Sequence, residues 1–406
     1  MIWSISWRNV WRNKVRSSVV IIAIAIGLST GVFSTAFMNG WMNQRLDNAV
    51  KTEISHIQIH KEKFKENNEI SYYIKNADLL SEKIRKIESV KGVSKRIVVN
   101  SMVASAESGT GVSVVGINPE NEKKVTDIYD KIIKGKYFEG VSKNPVIIGE
   151  KLAKKLDVDV RNKIVITIQD MNNNIIKGAF RVVGIYKTSN TGFDGSHIFV
   201  NYNDIIDITG LSHGAAHEIA VYLSDDEDID RVLEDISSFV PKGLLTEDWK
   251  EISPELGLFD EMMQVYMYII VIIVLFALCF AIINTMLMVV LERVRELGML
   301  MAVGMNKLKI FSMIILETVF LSLTGGVIGI VIGVVASMLS SKTGIDLSLW
   351  AEGLEKIGYA TVIYPSINFE NVISITFFVI ITGIVSALYP AFKALKLNPA
   401  ETLRAE

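Results

Sequence analysis

The 406 residues include one cysteine, five histidines and seven prolines. A lone cysteine excludes an internal disulfide, and because Cys279 lies inside a long apolar run it is silent on redox compartment. The 42 Lys and Arg nearly balance the 44 Asp and Glu, so no charge excess argues for nucleic acid. The spacings that carry enzymatic chemistry are also missing: there is no Gly-x-Ser-x-Gly elbow, no Cys/His pairing and no His-Glu-x-x-His helix. The P-loop pattern is absent, so the chain is not expected to hydrolyse ATP in the usual way; if it is powered, another subunit supplies the power. His213-Gly-Ala-Ala-His217 has helical spacing, but Gly214 weakens a helix and no third ligand follows, so surface histidines and no metal site are expected.

What is abundant is apolar sequence. Half the residues are hydrophobic, gathered into long runs, and a helix needs about 20 such residues to cross a bilayer. Ser17 to Met38 and Val265 to Leu291 carry no charge; Ile310 to Leu339 carries one carboxylate, Glu317; Val372 to Leu388 is shorter and is expected to end at Pro390. The first run is too long for a signal-peptide core and reads as an anchor.

Basic residues flank the spans unequally. Arg8, Arg12, Lys14 and Arg16 precede the first, Arg293, Arg295, Lys307 and Lys309 separate the second from the third, and Lys393, Lys396 and Arg404 follow the fourth; the Ser340 to Glu370 loop has only Lys342 and Lys356. The positive-inside rule then places both termini and the middle loop in the cytoplasm. The expected order is a cytoplasmic amphipathic helix (1–16), spans at 17–40, 264–291, 310–339 and 371–389, an extracytoplasmic domain (41–263), a cytoplasmic coupling segment (292–309), a short outer loop (340–370) and a cytoplasmic tail (390–406).

The outer domain mixes strand-like runs, Ile54 to Ile59 and Lys163 to Ile168, with helix-like ones, Ala77 to Ser89 and Asp226 to Phe239. An amphipathic helix at Gly149 to Leu156, an Asn-rich turn at Asn172 to Asn174 and a strand at Phe180 to Tyr186 complete an α+β reading, with 91–210 as a second lobe. The fold class is therefore an α-helical membrane protein with four transmembrane helices and a large α+β extracytoplasmic domain.

Several segments point to mechanism. Trp3, Trp7 and Trp11 recur every fourth residue among basic residues, the pattern of an interface helix: an aromatic anchor, or a lever pushing on the first span. Ala23, Gly27 and Gly31, and Gly325, Gly329 and Gly333, form small-residue stripes that let helices approach closely, within one subunit or across a dimer. An ionisable group inside a span is costly, and Glu317 reads as a structural hydrogen-bonding residue near the cytoplasmic surface rather than a transport residue. The stretch Leu291 to Lys307 joins two spans: Glu292, Arg293, Arg295 and Glu296 offer a mixed-charge surface to a soluble partner, while Gly298 and Gly304 permit tight turns.

That stretch resembles the Glu-Arg-x-Arg-Glu-x-Gly-x-x-x-Ala-x-Gly signature of ABC permeases of the MacB/FtsX superfamily, and the likeness runs over nearly the whole chain. It includes Trp-Arg-Asn-x-x-Arg-Asn-Lys-x-Arg at Trp7 to Arg16 and the tail from Tyr389 to Arg404. Val115 to Pro119, Val146 to Leu156, Phe180 to Tyr186 and Trp249 are similar to lipoprotein-releasing permeases of the LolC/LolE type. The resemblance implies a MacB-like periplasmic core domain and a second permease copy, identical or related. It implies an ABC ATPase subunit that holds ATP and Mg and docks on the 292–304 segment, and transmission of its motion to the outer domain without an aqueous channel. It further implies a bacterial inner-membrane location among membrane lipids, with lipoprotein as cargo and a periplasmic carrier receiving it. Export of another periplasmic or lipidic substrate and FtsX-like regulation of a cell-wall enzyme are the alternatives. A macrolide-exporter-like member would carry a fused ATPase, and the long outer domain is larger than a regulator needs.

Overall fold

A computed structural model describes residues 2–12, 14–140, 143–225 and 228–395. Lys396, Arg404, the tail motif beyond Leu395 and Asp226 lie outside the described residues. The chain divides into a helical unit (residues to Met42, Glu261–Asp346 and from Val362) and an α+β unit (Asn43–Asp260 with Leu347–Thr361).

Among the described residues, four helices are long and apolar enough to span a membrane. The first runs Lys14–Asn48, the second Pro254–Glu292, the third Lys307–Thr343 and the fourth Phe369–Leu395. All exceed the apolar runs that mark them. The fourth does not end at Pro390 as expected but continues to Leu395. Proline there forfeits one backbone hydrogen bond, yet Pro390, Ala391 and Ala394 are buried in the helical core, and that packing keeps the last turn helical.

The glycine stripe of the third helix settles its partner within the chain. A methyl group on Gly325 would lie 2.9 Å from the Ile21 carbonyl oxygen, on Gly329 2.8 Å from that of Ala25, and on Gly333 2.9 Å from the Val32 Cβ. The first and third helices therefore touch backbone to backbone. On the first helix, Gly27 and Gly31 face elsewhere, Gly27 against Leu278 of the second helix and Gly31 against Ile375 of the fourth.

The described residues of the α+β unit form ten paired strands. In chain order they are β1 (Ile57–Lys61), β2 (Val90–Ala104), β3 (Gly109–Ile117), β4 (Ile132–Gly135) and β5 (Pro145–Gly149). Then follow β6 (Lys163–Gln169), β7 (Ile175–Tyr186), β8 (His197–Asn201), β9 (Glu218–Leu223) and β10 (Leu244–Asp248). β10, β1, β9 and the first half of β2 form an antiparallel sheet, with helices Ala77–Ile84 and Ile229–Phe239 as its β-α-β crossovers. The order β10-β1-β9-β2 is that of a split β-α-β fold.

The second half of β2 leaves this sheet and pairs with β3; from there β3 pairs β8, β8 pairs β5, β5 pairs β7, β7 pairs β6, and β6 returns to β2. Six strands thus close on themselves as a barrel, which removes all but short edges. β6 shows why: Ile164, Ile166 and Ile168 point in, while Lys163, Val165, Thr167 and Gln169 point out or to the margin. The barrel and its capping helices Glu150–Leu156 and Tyr202–Thr209 fall within the 91–210 segment expected as a second lobe.

The strand-like run from Ile54 begins as strand only at Ile57, because Ala49–Ile54 is a π-helical turn, and the helix from Ala77 stops at Ile84. His217 is not a surface residue. It is fully buried, accepts the Val98 N–H at 3.1 Å on Nδ1, places Nε2 3.1 Å from the Ile70 carbonyl and stacks on Phe64 with ring centroids 5.0 Å apart. The 213–217 segment is a turn leading into the barrel junction rather than a helix, and only His213 is exposed.

Candidate partner-docking site

The link between the second and third span helices is a short helix, Val294–Ala302, bent away from its predecessor at Arg293 (φ −101°, ψ 16°). Its end is set by glycine. Gly304 adopts φ +99°, open to residues without a Cβ, and the Met305 N–H bonds the Leu300 carbonyl while the Gly304 N–H bonds that of Met301, both at 3.0 Å. This is a Schellman closure. Asn306 then caps the third span helix, its side chain accepting the Leu308 N–H at 3.1 Å. Gly298 makes no turn: it lies buried in mid-helix beside Leu297, where a small residue suits close packing.

The charged residues of this segment do not share one face. Arg293 and Glu296 engage the helical bundle, Glu296 with its side chain still 44% exposed. Arg293 Nη1 donates to both oxygens of Glu317 at 3.1 and 3.0 Å, and its Nε donates to Glu296 at 3.0 Å. Asn9 of the N-terminal helix Ile2–Arg12 donates to Glu317 at 2.7 Å, and Arg12 to Glu296 at 2.6 Å. Glu317, only 4% exposed, is thereby paired and hydrogen-bonded, which is what a carboxylate in an apolar helix requires. The Arg12 hydrogen bond, joined by that of Arg293, holds the Glu296 carboxyl below the usual carboxylate range. Burial works against the Arg293 charge, but Glu317 and Glu296 outweigh it and keep the guanidinium firmly protonated. A cavity of about 320 Å³ adjoins the network, with Asn9, Arg12, Glu292 and the Arg293–Glu317 pair in its wall.

Sequence reasoning treated Glu317 and the 292–304 segment separately and missed Asn9 and Arg12. Their signal was present in the Trp-Arg-Asn-x-x-Arg pattern, which read as a basic flank. The N-terminal helix bears on the third span helix as well as the first: Ser6 donates to the Met313 carbonyl at 3.3 Å, Trp3 and Trp7 meet Phe320 edge-on at 5.6 and 5.3 Å, and Ser17 of the first span helix donates to the Val10 carbonyl.

The outward face is different. Arg295 is exposed, and beside it stand Met299 at 55% and Val303 at 85% exposure, four residues apart on one helical face, with Leu308 beyond the turn. An exposed apolar ridge with a charged flank stands over the inner ion-pair network, the mix of side chains that protein interfaces favour.

Two family profiles agree with this architecture. A family profile described as the MacB-like periplasmic core domain matches residues 17–239, and one described as the FtsX-like permease C-terminal region matches 268–399. The chain is similar to an uncharacterized ABC transporter permease of Methanocaldococcus jannaschii, 31% identical over 68% of this chain and 66% of that one. It is also similar to the lipoprotein-releasing system transmembrane protein LolC of Haemophilus influenzae, 22% identical over 77% and 78% of the two chains. The periplasmic region of MacB from Actinobacillus actinomycetemcomitans, a solved structure, aligns at 13% identity over 52% of this chain and 97% of that one, with a TM-score of 0.36.

Four apolar helices, a large α+β domain of the MacB periplasmic-core type and the FtsX-like C-terminal region together define a membrane-embedded permease of the ABC class. The chain belongs to the MacB/FtsX superfamily of ABC transporter permeases.

Proposed function

We propose that this protein is the membrane subunit of an inner-membrane transporter that releases lipoproteins, driven by a separate ATPase docked on the outward face of helix Val294–Ala302. The observation that carries the docking reading is the division of the linking helix: Arg293 and Glu296 tie it to the helical bundle, while Arg295, Met299 and Val303 face outward. A load applied to those three residues passes through the Arg293–Glu317 pair to the third span helix and through the backbone contacts at Gly325, Gly329 and Gly333 to the first. The first and second span helices run unbroken into residues of the α+β unit, so they are the route by which motion reaches it.

In this reading both termini and the linking helix are cytoplasmic, ATP and Mg are held by the ATPase, a second permease copy completes the assembly, and the cargo passes to a periplasmic carrier. The likeness to LolC supports lipoprotein as cargo. The test is to purify the tagged chain gently from native membranes, identify what accompanies it and assay ATPase activity on the same fraction. A P-loop ATPase together with lipoproteins is expected. An ATPase with a different, non-acylated cargo would overturn lipoprotein release, and a cell-wall hydrolase in place of any cargo would replace transport with regulation.

A further inference from the structure

The loop between the third and fourth span helices leaves two large apolar side chains uncovered. Leu349 is 91% and Trp350 62% exposed, in the short turn Ser348–Trp350 that leads into helix Ala351–Lys356.

Their height against the bilayer follows from chain length. The apolar run from Ser17 to Met38 rises about 33 Å as a helix, the depth of the hydrocarbon core, so the first span helix leaves that core near Met38. The loop is pinned at this level: the Ser366 N–H donates to the Ala36 carbonyl at 2.9 Å, and Gly40 lies against the backbone of Tyr364 and Pro365. Immediately before Tyr364, Val362–Ile363 pairs antiparallel with Ile345–Asp346. Leu349 stands three residues beyond Asp346, a reach of at most about 11 Å. The pair is thus kept within reach of the headgroup layer, about 5–8 Å deep on each face, however the α+β unit is inclined.

Other groups of the loop are already engaged by the α+β unit. Glu355 pairs with Lys187 at 3.5 Å, and the Tyr359 ring meets Phe259 with centroids 5.7 Å apart. Gly358 lies against the Arg45 guanidinium, whose Cζ is 2.7 Å from where a Cβ would sit. The loop is fastened by these groups while Leu349 and Trp350 stay open. Tryptophan beside leucine suits a lipid–water interface, where an amphipathic ring and an apolar side chain both find partners. A protein partner would cover the pair only while bound, whereas the tether holds it at the leaflet throughout.

We propose that Leu349 and Trp350 seat in the lipid leaflet on the side of the α+β unit and hold that unit to the membrane surface at a point beyond its two span helices. The inference stands whichever cargo the transporter carries and whichever partner meets the linking helix.

The experiment uses the full chain in lipid nanodiscs, with Cys279→Ser and Leu349→Cys, the new thiol carrying an NBD fluorophore. Two quenchers are compared: a phospholipid with a nitroxide near the top of its acyl chain, and iodide in the buffer. The nitroxide lipid is expected to reduce emission about twofold or more, and iodide to quench at least about threefold less than it quenches the free dye–cysteine adduct. A second measurement removes the dye's own affinity for lipid: the tryptophan emission lost in Trp350→Phe should itself fall about twofold in nanodiscs of brominated lipid. Strong iodide quenching without a nitroxide effect would place the pair in water, and protection from both quenchers would place it under protein, such as a second copy. Either result, or a lipid effect on the dye with none on Trp350, would overturn the proposal.

Discussion

At the scale of single residues, the Arg293–Glu317 pair is the costliest element of the helical unit to disturb. Glu317→Ala would leave a guanidinium only 13% exposed without its main partner, and the expected loss is about 3 kcal/mol, read as a fall in the unfolding midpoint in detergent. Arg12→Ala removes a bond between side chains 57% and 44% exposed and is expected to cost under about 1 kcal/mol. His217 makes a second prediction. Burial drives its imidazole down to about 4 from 6.5, so the folded chain keeps it neutral while the unfolded chain takes up a proton. The stability this ring contributes is whole above pH 6.5 and is lost as pH falls toward 4, about 3 kcal/mol across that window. His217→Gln retains an acceptor for the Val98 N–H and a donor for the Ile70 carbonyl, so the variant should differ from the parent by a flatter stability profile between those pH values. Equal slopes in chemical denaturation would refute the assignment. Both residues also mark where sequence reading stops. Glu317 was legible as a group that must find a partner, because its cost in an apolar run is local information. Its actual partners, Asn9 and Arg293, come from other helices, and no spacing rule links them. His217 was misread for the same reason: Val98, Ile70 and Phe64 decide its burial, and all three are distant in sequence.

At the scale of elements, hydropathy and basic flanks marked the four helices, yet their ends were not legible. A helix continues past its apolar run wherever packing or capping supports it, as at Pro390, and a residue pattern records only the run. The small-residue stripes were legible as packing faces but not their partner, which depends on how four helices arrange. The contact distances now make a graded prediction. Gly329→Ala places a methyl 2.8 Å from a backbone oxygen that cannot rotate aside, and should cost about 1–3 kcal/mol; Gly326→Ala, one turn's offset away with open space at its Cβ, should stay within about 0.5 kcal/mol. Comparable losses at the two glycines in a thermal-shift series would contradict the backbone contact. The linking helix was legible in its charges and in Gly304. Which charges face inward was not, because that follows from Arg12 and Glu317 meeting the helix from other elements.

At the scale of the whole molecule, the two units divide the labour by chemistry. The helical unit joins Asn9, Arg12, Arg293, Glu296 and Glu317 in one hydrogen-bonded network, whereas the α+β unit carries a closed barrel and a split β-α-β sheet. Barrel closure was beyond the sequence because it rests on β2 serving two sheets at once, a choice made by its length and its pairing with β6. The α+β character was not, since alternation such as that of β6 is local. The central claim is that a separate ATPase meets the outward face of the linking helix. It is tested by replacing Cys279 with serine, introducing Val303→Cys or Glu296→Cys, and treating native membranes with a short thiol-to-amine crosslinker. A P-loop ATPase joined through position 303 and not through 296 is the expected result; an ATPase joined equally through both, or through neither while it still copurifies, would contradict the account.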